Sequence, residues 1–336
     1  MKSLIQNFSN QLSEAIIIGE SAKLTQSVHK ISNILICGMG GSGISGNILN
    51  ELVNTEVNVP VNICKGYFIP NYVSENTLVI ISSYSGNTEE TINCINMVIQ
   101  KKAKVVCVTS GGIIEKIAIE NHFDYILIPG NMPPRSCLGY SLIQMFYILH
   151  FNEIINSNFK NDFKNSIKLL EHENSSIIVE AEELAKLLLK KTPIIYTTTN
   201  NEALAIRFRQ QLNENSKVLC WHNTIPEMNH NELVGWASKN ESLAVLILLD
   251  ETDYKKNKIR AGLNLEVIKK YASSVNVIYS KGETTIEKAI YFINLCDWIS
   301  IYLAEMRNVD PVEVNVITEL KNSLAHIVSF PILGPI

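Results

Sequence analysis

Five short runs in the N-terminal part of the chain, Ile34-Leu35-Ile36-Cys37, Val59 to Ile63, Leu78 to Ile81, Val105 to Val108 and Tyr125 to Ile128, are apolar at nearly every position rather than at alternate ones. A strand that is apolar on both faces must be covered on both faces, as it is in a parallel sheet between helices. Val59 to Ile63 is the weakest of the five, because Pro60 and Asn62 interrupt it. Ile44 to Val53 and Thr88 to Lys101 carry apolar residues at helical spacing, for example Ile92, Ile95 and Val98, and supply the crossovers that parallel strands need. A longer helix is expected from Ser136 to about Ile155, after Pro133-Pro134.

The pattern then restarts. The Asn- and Lys-rich run Asn152 to Lys164 reads as a boundary, and a helical stretch Ile177 to Leu189 leads into a second series, Ile194 to Thr197, Val218 to Trp221, Leu243 to Leu249 and Val275 to Ile278, with Glu202 to Leu212 as a helix between the first two. With 336 residues to place, two α/β domains are expected, 1–155 and 156–336, each a doubly wound, mainly parallel sheet flanked by helices.

Several function classes are disfavoured by composition. A net charge of -4 with scattered Lys and Arg gives no nucleic-acid footprint and no membrane-surface footprint. Met1 to Gln11 lacks the apolar core of a secretory signal and no uninterrupted apolar run is long enough to span a bilayer, so a cytoplasmic chain is expected. Seven cysteines with no CxxC and no Cys/His cluster at zinc spacing read as reduced core residues, and no metal or other cofactor is expected.

Two strand-to-helix turns carry chemistry. The first, Gly38-Met39-Gly40-Gly41-Ser42-Gly43, lets backbone approach an anionic ligand at a helix N-terminus. Gly38, Gly40 and Gly43 also fit the GxGxxG dinucleotide spacing, but the next strand run does not end in the acidic residue that would hold a ribose, and a plain tight turn is the simpler alternative. The second turn, Ser82 to Thr91, offers Ser83, Ser85 and Thr88 around Gly86 and suits a phosphate without a lysine or a metal. Its plainer alternative is a capping box with Asn87 as N-cap and Glu90 three residues on.

The Ser83, Ser85, Gly86, Thr88 pattern resembles the phosphate loop of the sugar isomerase (SIS) fold. Pro134 to Ser141, Gln211 to Lys217 and Pro226 to Glu232 then resemble, in order, segments of the bifunctional phosphoglucose/phosphomannose isomerases. That resemblance implies two SIS domains and an aldose-ketose isomerase linking glucose 6-phosphate and mannose 6-phosphate to fructose 6-phosphate through a cis-enediolate. It implies Glu214 as the base, His230 in ring opening, Arg135 holding the enediolate, Lys321 beside the substrate, and Gly40, Gly41, Ser42, Ser83, Ser85 and Thr88 around the phosphate. It also implies a homodimer in which His230 comes from the neighbouring subunit. Leu233 to Val316 carries no motif of this kind. The alternatives are an isomerase of a related amino sugar phosphate, a sugar-phosphate sensor without turnover and, least, a dehydrogenase.

Overall fold

The computed structural model describes residues 1–327. Helices α1 (Lys2–Gln6) and α2 (Phe8–Ser21) precede the first sheet, which is built from β1 (Asn33–Cys37), β2 (Val61–Cys64), β3 (Thr77–Ser83), β4 (Lys104–Thr109) and β5 (Asp124–Leu127). Its crossovers include α3 (Gly40–Val53), α4 (Glu89–Ile99) and α5 (Gly112–Glu120), and α6 (Leu138–Phe151) and α7 (Phe159–Leu188) follow it. The second sheet comprises β6 (Thr192–Thr198), β7 (Trp221–Ile225), β8 (Asn240–Leu249) and β9 (Ala272–Tyr279), with α8 (Glu202–Glu214) and α9 (Lys255–Ile268) between strands. After it come α10 (Thr285–Arg307) and α11 (Asn315–Ile327).

Every strand pair is parallel, and the strand orders are β2-β1-β3-β4-β5 and β7-β6-β8-β9. Both sheets therefore wind alike: the first strand has the second on one side and the third and fourth on the other. Two such α/β sheets are what the continuous apolar runs predict.

Alternate strand residues feed different cores. Ile34, Ile36, Leu78, Ile80, Val106 and Val108 of the first sheet share one buried cluster with Ile195, Leu246 and Leu248 of the second, joined through α3, α6, α7, α8 and α10. The opposite faces are closed separately, by α4 and α5 on the first sheet and by α9 on the second. Because the central cluster is continuous, each sheet lends hydrophobic stabilisation to the other, about 1.5–3 kcal/mol for each fully buried Ile or Leu. Among the described residues, α10 is the one helix long and apolar enough to cross a membrane, yet 83% of its apolar window is buried inside the protein, as befits the central helix of a globular core.

Three expectations need correction. The Asn152 to Lys164 run is not only a connection; its second part begins the 30-residue α7. Phe159 and Phe163, one helical turn apart, pack on Phe146 with ring centroids at 5.4 and 5.2 Å, so the Asn and Lys residues are simply the wet face of an amphipathic helix. The strand expected at Val218 to Trp221 starts at Trp221 and runs to Ile225. Val218 still belongs to the exit from α8, where its N–H donates to Leu212 O. The true strand contains His222, Asn223 and Thr224 and is polar because it lies at the sheet edge. Similarly, the first edge strand is Val61–Cys64, since Pro60 has no N–H to pair and only its carbonyl accepts, from Ile34 N at 2.9 Å.

Candidate active site

The glycine turn leaves β1 and the hydroxyl turn leaves β3, adjacent strands whose onward connections run in opposite directions across the sheet. Crevices at the carboxyl ends of such strands are where open α/β sheets bind ligands. The two turns are tied together, because Ser42 Oγ accepts from Tyr84 N at 3.1 Å. Ser83 Oγ donates to Thr88 Oγ1 at 3.0 Å, and Ser85 Oγ accepts from Asn87 N at 3.2 Å. Gly86 has φ +66° and approaches Gly111 O so closely that a Cβ would stand 1.8 Å from it, so no other residue fits.

The capping-box alternative for this turn is not formed. α4 has Thr88 at its N-cap with no side-chain hydrogen bond to the helix. Asn87 Oδ1 instead accepts from Ile113 N at 3.1 Å, at the start of α5. The leading N–H groups of α4 thus have no side-chain cap beside the hydroxyls, an arrangement that favours an anion.

Arg135 lies in a 3-10 turn, Pro134–Ser136, beyond the carboxyl end of β5. The turn rests on the glycine loop, where a Cβ on Gly41 would be 3.1 Å from Pro134 O. The Arg135 side chain is 5% exposed and fully engaged. Its Nη1 donates to Glu214 Oε2 at 3.3 Å, its Nε to Asn215 Oδ1 at 2.7 Å, and its Nη2 to the carbonyls of Pro311 and Val312. Burial lowers the guanidinium's pKa while Glu214 acts in the opposite direction; an arginine stays cationic under such opposing influences. Glu214 is the last residue of α8 and remains 31% exposed, so the second sheet's helix delivers a carboxylate to the first sheet's loops.

Further residues hold this pair in place: Gln211, Asn215 and Lys217 from the segment that carries Glu214, and Arg207, Asp297, Ser300 and Glu313, which lie outside every motif. Arg207 donates to Arg135 O at 3.4 Å and pairs with Asp297 at 2.6 Å, and Gln211 donates to the other Asp297 oxygen at 2.7 Å. Asn215 donates to Ser300 Oγ at 2.9 Å. Lys217 Nζ donates to Glu214 O at 2.6 Å and also reaches Glu313 O. Three of these partners lie on α10 or just beyond it, within the stretch that carried no recognisable motif.

Beyond that segment α11 runs over the hydroxyl turn. Lys321, Ser85 and Thr88 line one cavity of about 380 Å³, together with Tyr67, Asn87, Glu89, Glu90 and Leu324. Lys321 thereby shares a cavity with two of the turn's hydroxyl residues and with the acidic Glu89 and Glu90.

His230 is elsewhere. It ends the 3-10 turn Glu227–His230 just past the carboxyl end of β7 and is exposed, with no hydrogen bond to its ring among the described residues. Glu214 ends the helix that returns to the amino end of β7, so the two stand beyond opposite ends of a five-residue strand, about 16 Å long at 3.3 Å per residue. One chain does not bring this pair together. Glu232, in the same segment, is structural: it accepts from Trp221 Nε1 at 2.9 Å, Asn223 Nδ2 at 2.6 Å and Tyr196 OH.

The glycine-loop helix and the Glu214 helix are also joined directly. Glu51 on α3 accepts from Ala203 N, near the start of α8, at 2.7 Å. Burial, reinforced by nearby Glu202 and opposed by that hydrogen bond, pushes its carboxyl from 4.5 up to about 8. A raised carboxyl pKa adds stability below the unfolded value and loses it as pH climbs through the folded one. Glu51→Gln, which keeps the acceptor oxygen, is expected to stabilise the protein at pH 8 by about 1–3 kcal/mol and to flatten its pH dependence between pH 5 and 8. Denaturant titrations at the two pH values check this.

Comparison with known proteins fits this architecture. Over 333 residues the chain is 36% identical to a bifunctional phosphoglucose/phosphomannose isomerase of Caldicellulosiruptor bescii, an alignment that covers 96% of this chain and 98% of the relative. The chain belongs to that family. An Aquifex aeolicus protein of the same description is 29% identical over 96% of this chain and 97% of its own length. Residues 178–324 match the family described as bacterial phospho-glucose isomerase C-terminal SIS domain. A solved structure described as a putative phosphosugar isomerase, from Clostridium difficile, superposes with a TM-score of 0.75 at 18% identity, covering 95% of this chain and 97% of that one, and shares the fold.

Proposed function

We propose that this family member interconverts glucose 6-phosphate and mannose 6-phosphate with fructose 6-phosphate. The observation that carries the reading is the Arg135–Glu214 pair, a buried fixed cation against a half-open carboxylate, set beside two anion-receptive turns. Phosphate is received by the hydroxyls of Ser83, Ser85 and Thr88, by the backbone at Gly40, Gly41 and Ser42, and by Lys321. Glu214 takes the proton from C2 of the open-chain aldose and returns it to C1, while Arg135 stabilises the oxygens of the cis-enediolate. Loss of the C2 proton makes the carbon planar, so both epimers give the same intermediate. A site gripping the phosphate end accepts both.

His230 completes the site from a second copy, where it shuttles the proton that opens the ring. The opposite-end placement of His230 and Glu214 supports a two-fold dimer with shared sites. Mixing Glu214→Gln chains with His230→Ala chains, each inactive alone, is then expected to restore about one quarter of wild-type activity, because half the dimers are mixed and each has one intact site. No recovery on mixing overturns the shared site.

The direct test of function is a coupled assay on fructose 6-phosphate with a chelator present, reading glucose 6-phosphate and mannose 6-phosphate separately. Formation of both supports the reading. Formation of neither, with the sugar phosphate still bound, overturns it in favour of a sensor.

A further inference from the structure

Cys37, Cys64 and Cys94 are far apart in sequence, yet their sulfurs all lie within 4.8 Å of one another. They come from the carboxyl end of β1, the carboxyl end of β2 and the middle of α4. A second feature converges on the same point. Gly66 O lies 3.3 Å from Cys94 Sγ and 3.9 Å from Cys64 Sγ, and among the described residues its only hydrogen bonds come from these thiols, which are weak donors. This carbonyl stands within reach of two of the three sulfurs and offers the cluster an oxygen ligand.

We propose that the three cysteines and the Gly66 carbonyl form a binding site for Zn2+ or a similar d10 divalent cation. With Zn–S about 2.3 Å and Zn–O about 2.1 Å, a tetrahedral ion sets S···S near 3.8 Å and S···O near 3.6 Å. The Cys64 to Cys94 sulfur separation is 3.9 Å, and the two carbonyl distances bracket the second value. Thiolates are the ligands that select soft and borderline ions. Binding deprotonates the three thiols, releases their protons to solvent and leaves one net negative charge on the S3O site. Cys64 is half-buried, with its Sγ 3.3 Å from Phe68 O in a segment where Tyr67 and Phe68 are exposed, which gives the ion a route in, whereas Cys37 and Cys94 are 0% and 1% exposed.

The position gives the ion a role. Cys37 immediately precedes Gly38, and Cys94 lies on the helix that starts at the hydroxyl turn. A bound ion fastens β1, β2 and α4 beneath both turns and acts structurally, away from Arg135 and Glu214.

The test uses the full-length protein, reduced and freed of metal, with Cd2+ as the probe. One equivalent per chain is expected to produce the ultraviolet thiolate-to-cadmium charge-transfer band, to protect three thiols from a thiol reagent, and to be displaced by Zn2+. Added Zn2+ is expected to raise Tm, as a ligand specific to the folded state must. Cys94→Ser and Cys64→Ser each abolish the band and the Tm rise, while Cys107→Ser, a buried cysteine outside the cluster, retains both. Far-ultraviolet dichroism establishes that each variant is folded. Absence of the band in wild type, its survival in folded Cys94→Ser and Cys64→Ser, or a Cys64–Cys94 disulfide in place of metal after mild oxidation of the metal-loaded protein would each overturn the site.

Discussion

Glu214→Gln is expected to lower kcat by about a thousandfold, within the range general-base catalysis supplies, with KM little changed. The loss falls equally on formation of glucose 6-phosphate and mannose 6-phosphate, since both arise from one enediolate. The substitution keeps the side chain's shape and its oxygen facing Arg135, and the residue is 31% exposed, so Tm shifts little. Steady-state kinetics with both aldoses, beside a thermal melt, check this. A variant impaired on one aldose only would place the base elsewhere.

The largest stability effect is expected at Arg207. Asp297 is buried; burial raises its carboxyl pKa from the ordinary value, while Arg207 and Gln211 act in the opposite direction. Removing the arginine alone leaves an uncompensated buried acid, so Arg207→Met is expected to cost about 3–5 kcal/mol. Replacing both partners by apolar residues, Arg207→Met with Asp297→Leu, is expected to recover most of that stability. Neither variant recovers full activity, because Arg207 also donates to the Arg135 carbonyl and positions the turn that carries the guanidinium. Denaturant unfolding and kcat on the single and double variants separate the two roles.

The parts of this molecule legible in the sequence are those set by local physics. Eight apolar runs fall on parallel strands, since a strand buried on both faces has few residue types open to it; the ninth, Val218 to Trp221, meets its strand only at Trp221. The two strand-to-helix turns were legible because close backbone approach demands glycine at Gly86, and because three hydroxyls exceed what a helix cap needs. Glu214 and Arg135 were picked out by resemblance, and only the fold puts them 3.3 Å apart.

What was not legible depends on tertiary placement. The edge strand Trp221–Ile225 is too polar to signal a strand, and Phe159 and Phe163 were masked by the Asn and Lys residues between and around them. Arg207, Asp297 and Ser300 act through residues distant in sequence and form no motif. The separation of His230 from Glu214 follows from the chain's path through α8 and β7. The three-cysteine cluster likewise has no metal-ligand spacing along the chain, because two neighbouring strand ends and a helix from the next crossover supply it.

In the proposed mechanism one carboxylate moves the C1/C2 proton of either aldose through a shared enediolate. Fructose 6-phosphate incubated with the enzyme and a chelator in D2O, and followed by nuclear magnetic resonance, tests it most directly. Deuterium is expected at C2 of both glucose 6-phosphate and mannose 6-phosphate, with both signals lost in Glu214→Gln. Isomerisation that continues in folded Glu214→Gln, with deuterium still entering C2 of either product, would mean that another group moves the proton, and would contradict it.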